Sequence, residues 1–230
     1  MLDMEIKNIY ILQSRNVRYL KKIQKNLTMD INKCLIKKDL FQLHVKTKYY
    51  AMLYSSVSES QFVQILYTPN GFRYSEIVEI KKQRNIVDSW NSMIDIAFKK
   101  VGKVEQNSDL KKKSEKIKKI IDEYIRKPQE LRNKIAHGQW IHALNSENTK
   151  ENIDTTKRIE NLDVVQISIW FEVHQYLCFI IRDLIQSPKK GFHNNYWSNL
   201  VELEKFLSKS KSWTLDKRIA VLDMKKPKNK

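Results

Sequence analysis

Glycine and proline are nearly missing from this chain, with four of each in 230 residues. These two residues set most sharp turns, so few turns and few strands can fit and the elements must be long. At 41% apolar content the chain can still bury one sizeable core. An all-α fold follows, built as a helical bundle.

Apolar residues recur at helical spacing along most of the length. Ile6, Ile9, Tyr10, Val17, Leu20, Ile23 and Leu27 mark a first amphipathic helix. Asp30 to about Leu66 reads as a short helix followed by a long one. Thr68-Pro69-Asn70-Gly71 is the strongest turn signal. Ser75, with Glu76 and Glu79 behind it, predicts a helix start and a run to near Gly102. A stripe from Leu110 to Ile125 predicts another helix. Pro128 removes the donor to the residue four back, so a kink or restart is expected there before Gln129–His137. Residues 138–160 read as irregular. Asp163 predicts the cap of an apolar helix to about Gln186, and a last helix is expected near Tyr196 to Leu207. The lysine-rich tail Lys225–Lys230 is expected to be disordered.

The net charge is +17, carried by 34 Lys and 9 Arg. That balance favours a polyanionic partner, RNA or DNA, through phosphate neutralisation and counterion release. Cys34 and Cys178 are the only cysteines. Two isolated thiols form neither a zinc site nor a disulfide framework, so no metal is expected and a reducing, cytoplasmic setting is. Met1–Tyr10 carries acids and no apolar segment, which speaks against a signal peptide. The most apolar stretch, Val164–Ile185, is interrupted by Gln166, Glu172, His174, Gln175, Arg182 and Asp183. It reads as a buried helix and not as a membrane span.

One stretch reads as chemistry: Arg132-Asn133-Lys134-Ile135-Ala136-His137-Gly138. Leu131 and Ile135 give it an inward face, and Gly138 is a helix stop. Arg132 is a permanent cation whose planar fork fits phosphate oxygens. His137 changes charge near neutral pH and can move a proton. At 3.6 residues per turn the two project roughly 140° apart, and a small shift in the last turn would let both reach one phosphate. Cleavage of RNA by internal transfer needs these two roles: proton transfer at the 2′- and 5′-oxygens, and stabilisation of the phosphorane charge.

The string Leu131–Gly138 resembles the signature of the HEPN family, a group of all-helical ribonucleases and helical accessory domains. The family pattern is Arg, often followed by Asn or another polar residue, then His after four to six positions. The resemblance implies a four- or five-helix up-and-down bundle, placed here at residues 38–187. Residues 1–37 would be an N-terminal helical extension, and 188–230 a C-terminal helix and basic tail. It further implies a homodimer in which two copies of the motif build one composite cleft. Arg132 and His137 would be catalytic there, without a cofactor, leaving 2′,3′-cyclic phosphate ends. Asn133 would orient the pair or touch the phosphate. A prokaryotic defence or toxin-like role is implied, restrained by a regulatory or antitoxin-like protein or triggered by a signal. Relatives often carry a polar or acidic residue on an earlier helix lining the cleft, and Glu59 is the candidate. The other reading is a non-catalytic HEPN-type module that uses Arg and His only for contacts.

Lys134 and the basic run Lys111, Lys112 and Lys113 are candidate RNA contacts, the run otherwise being a solvated face. Trp140 either stacks a base or plugs the bundle end. His142 lies five residues past His137, but no third ligand at matching spacing supports a metal. His174 reads as a core or interface histidine.

Overall fold

The computed structural model describes residues 3–224, so the expectation for Lys225–Lys230 lies outside the described residues. Among the described residues the fold is all-α and has no strand, only one isolated bridge, Leu144 to Glu151.

α1 (Asp3–Lys37) is one 35-residue helix where two were expected. Asp30 does not cap a second helix; its carboxylate pairs with Lys33 at 3.0 Å, and Ile31, Cys34 and Leu35 continue the buried stripe past it. The break falls at Lys38, held at φ 57°, and at Asp39, whose carboxylate accepts the backbone N–H of Gln42. α2 (Leu40–Leu66) then folds back along α1 as a tight helical hairpin. The Thr68–Gly71 turn forms as expected, closed by Gly71 N donating to Thr68 O at 3.0 Å.

The helix expected from Ser75 to Gly102 is two helices, α3 (Tyr74–Lys81) and α4 (Ile86–Val101). No Gly or Pro marks the gap. Asn85 makes it, by adopting an extended backbone and accepting the N–H of Asp88. A Lys100–Glu76 pair at 2.7 Å ties the two helices back together.

α5 (Ser108–Ile121) leads through a π-helical turn, Asp122–Arg126, into α6 (Lys127–Ala136), which carries the motif. Pro128 is the reason for the turn. Its missing N–H strips the carbonyl of Tyr124, four residues back, of its helical donor. The buried hydroxyl of Tyr54 on α2 donates to that carbonyl instead. Tyr54→Phe leaves the carbonyl unpaired in the interior and is expected to cost about 1–3 kcal/mol. Urea melts read that loss; a midpoint equal to wild type would show that water or a shifted backbone satisfies the carbonyl.

Residues 138–160 are more ordered than the sequence suggests, with α7 (Ile153–Glu160) capped by Asn152. Asp163 caps α8 (Val164–Gln186) as expected, accepting from Val165 N and Gln166 N. α9 (Gly191–Ser210) extends beyond its expected limits at both ends, and α10 (Leu215–Met224) was not expected. α9 packs on α8, while α10 lies against α1 and α8.

α8 has the length and apolar content of a membrane-crossing helix, but most of that apolar stretch is buried inside the bundle. Its first half joins Tyr50, Tyr54, Leu131 and Ile135 in one cluster. Its second half joins Phe62, Trp90, Phe98 and Ile117 in another. His174 sits where the clusters meet, edge-on to Tyr54 and Trp90, and burial pushes its imidazole down to about 3. It is a neutral core histidine. Lys48 is also fully buried; its amine donates to Ile159 O at the end of α7, and burial lowers it to about 8.

Candidate functional site

α2 holds α6 at two points, so the motif helix has a fixed orientation. One is the Tyr54–Tyr124 bond at its approach. The other is Glu59, whose carboxylate pairs with Arg132 and accepts from Gln129 Nε2 at 3.2 Å. Leu131 and Ile135, 3% and 1% exposed, press the opposite face into the core. Burial of these two leaves Arg132, Asn133 and His137 on the outside.

Arg132 is half-buried. Besides Glu59, its Nη1 donates to Asn133 Oδ1 at 3.2 Å. A carboxylate and an amide thus fix the direction of the guanidinium. His137 closes α6: its backbone N–H donates to Asn133 O, and Gly138 turns the chain away at φ 79°. The imidazole is exposed and makes no hydrogen bond among the described residues.

Two grooves flank this helix. The first, about 710 Å³, is lined by Glu59, Asn85, Arg126, Gln129, Glu130 and Asn133. The second, about 960 Å³, is lined by Glu130, Asn133, Lys134, His137, His142 and Asn145. Asn133 and Glu130 form the ridge between them. Arg132 reaches toward Glu59, and His137 lines the second groove. Within one copy, hydrogen bonds join Glu59, Arg132 and Asn133, and the His137 imidazole takes part in none of them.

Lys134 donates to Leu144 O at 2.5 Å, which ties its amine to the loop wall of the second groove. Trp140 plugs the bundle end: its indole N–H donates to Ile135 O at 2.9 Å, and Tyr49 packs edge-on at 5.5 Å. Tyr49, packed on Trp140, and Ile141 are both exposed apolar side chains.

The basic run needs correction. Lys113 is 6% exposed, pairs with Asp109 at 2.7 Å, and lies over Tyr196 and Trp197, each ring centre 5.2 Å away. It cannot meet a phosphate. Lys111 and Lys112 remain exposed. They stand about 20 residues before Arg132 along the α5–α6 axis, roughly 30 Å at 1.5 Å per residue. At physiological salt that distance is several screening lengths.

Sequence reasoning missed the partner of His142. Its Nδ1 lies 2.9 Å from Glu151 Oε1, and Thr156 Oγ1 donates to the same oxygen. These hydrogen bonds hold the Glu151 carboxyl below its usual range. The pairing was hidden because residues 138–160 read as irregular. Among the described residues no group of three or more His, Cys, Asp or Glu side chains gathers as a metal site would.

Compared with models of known families, with curated proteins and with solved structures, the chain matches none.

Proposed function

We propose that this protein is a metal-independent endoribonuclease of HEPN type, acting as a homodimer. The observation that carries the reading is the end of α6. A directed guanidinium and an unpartnered, exposed imidazole flank one ridge there, on a helix whose packing is otherwise satisfied. In the composite cleft that the resemblance implies, each scissile phosphate is met by Arg132 of one copy and His137 of the other. The exposed side chains of Tyr49 and Ile141 supply apolar surface for the twofold contact. Arg132 stabilises the phosphorane, Asn133 and Glu59 aim the guanidinium, and His137 moves a proton. The net charge of +17 draws in RNA. A defence or toxin-like role in a prokaryote, under control of a partner or a signal, fits such an activity.

The Arg132–Glu59 pair also favours a second reading, in which the guanidinium is an internal tie and the domain only binds nucleic acid. Incubating the protein with mixed RNA in excess EDTA separates the two readings. The enzyme leaves fragments, and the binder leaves intact RNA that is shifted in mobility.

Lys111 and Lys112 have a role at a distance, gripping a flanking stretch of the strand. Reversing both charges is expected to weaken RNA binding and to reduce the salt slope by about 1.4, near 0.7 per lost phosphate contact on a single strand. Single-turnover cleavage at saturating protein should not change. An unaltered slope would remove the run from the interface.

A further inference from the structure

The second groove holds two imidazoles, and only one belongs to the motif. His142 lies five positions after His137, so their Cα atoms lie within about 17 Å even if that stretch were extended. The turn at Gly138, where Trp140 N donates to Gly138 O, brings them closer. The intervening loop is a built structure. Leu144 N donates to Gln139 Oε1 at 2.8 Å and Asn152 N to Ala143 O at 2.7 Å. The Asn145 side chain accepts the N–H groups of Thr149 and Lys150. Ala143 N donates to Thr156 Oγ1, which itself donates to Glu151. The loop thus fixes Glu151, and Glu151 fixes His142.

A carboxylate at Nδ1 sets the tautomer. The proton sits on Nδ1, and Nε2 carries the lone pair. Nε2 has no partner among the described residues, and the side chain is 69% exposed where it lines the groove. This is the arrangement of a general base held by an acidic side chain. An isolated surface histidine would need neither the carboxylate nor the threonine behind it.

We infer that His142, oriented by Glu151, is the second proton-transfer group of the site, acting as base while His137 acts as acid. The inference rests on the ribonuclease reading proposed above. His142 Nε2 takes the proton of the ribose 2′-hydroxyl. The 2′-oxygen then forms a bond to phosphorus as the bond from phosphorus to the 5′-oxygen breaks. Protonated His137 delivers its proton to that leaving oxygen. The products are a 2′,3′-cyclic phosphate and a free 5′-hydroxyl, and proton exchange with water resets both rings. Glu130, Lys134 and Glu151 are the other charged groups around these rings. Glu130 is paired with Arg158 at 3.1 Å.

The test uses the full chain and the variants His142→Ala and Glu151→Gln. Single-turnover cleavage is followed from pH 5 to 9 alongside far-UV helicity and thermal midpoint. His142→Ala should lose about 10²-fold or more, and the rise of rate with pH on the acid side should flatten. Glu151→Gln should lose less and shift that limb while the helicity stays. Inorganic phosphate, titrated into wild type with the histidine ring signals followed by NMR, should move His137 and His142 together. If wild type cleaves RNA and His142→Ala keeps both its rate and its pH profile, the assignment falls and the ribonuclease reading stands. A loss of rate with an unchanged profile shape and a lowered melting temperature also overturns it, by making His142 structural. If wild type cleaves nothing, the ribonuclease reading fails first and the base role fails with it.

Discussion

His137→Ala is expected to lower RNA cleavage by about 10²–10⁴-fold, the usual contribution of a positioned proton-transfer group. The protein itself should barely respond. The imidazole is exposed and has no partner among the described residues, and what His137 gives to the fold is its backbone N–H, which alanine also supplies. Stability should therefore stay within about 0.5 kcal/mol of wild type. Far-UV circular dichroism, a urea melt and single-turnover cleavage on one preparation measure all three. Activity lost together with helicity would make the side chain structural.

Arg132→Ala is expected to lower cleavage by about 10²–10³-fold, the scale for losing one group that stabilises developing charge. Arg132→Lys should recover little of it, because an ammonium cannot reproduce the planar fork that Glu59 and Asn133 aim. Mixing the two inactive variants tests the geometry. Equal amounts of Arg132→Ala and His137→Ala, paired at random, give half mixed dimers. Each mixed dimer retains one intact Arg132–His137 pair out of two. Activity should return to about a quarter of wild type. A mixture as inactive as its components would contradict the composite site, since the groups would then act within one copy or not at all.

The all-α architecture was legible because so few glycines and prolines leave helices as the economical reading, and the stripes then say where they lie. Boundaries were less so. Asn85 breaks the chain with a side-chain cap and Asp30 does not, although both residue types are good caps. What decides is whether the apolar stripe continues through the position, and at Ile31–Leu35 it does. α10 has its own stripe, with Leu215, Ile219 and Leu222 packed against the core, but at ten residues, with none of them fully buried, its period is weak. In the site, the roughly 140° divergence of Arg132 and His137 follows from helix geometry alone. Glu59 was nominated by resemblance, and its carboxylate does meet Arg132. Lys113 and His142 could not be read from local sequence. The first is turned inward by Tyr196 and Trp197, more than 80 residues away, and the second is fixed by a loop whose bonds are made by side chains without a period.

The central claim is that a guanidinium and imidazoles break a ribose–phosphate linkage here without a metal. The most direct test incubates wild type and His137→Ala with a defined single-stranded RNA in excess EDTA and analyses the fragment ends. The account predicts wild-type fragments ending in 2′,3′-cyclic phosphate and none from the variant. Intact RNA with wild type, or fragments that vanish on adding EDTA and return with magnesium, would contradict it.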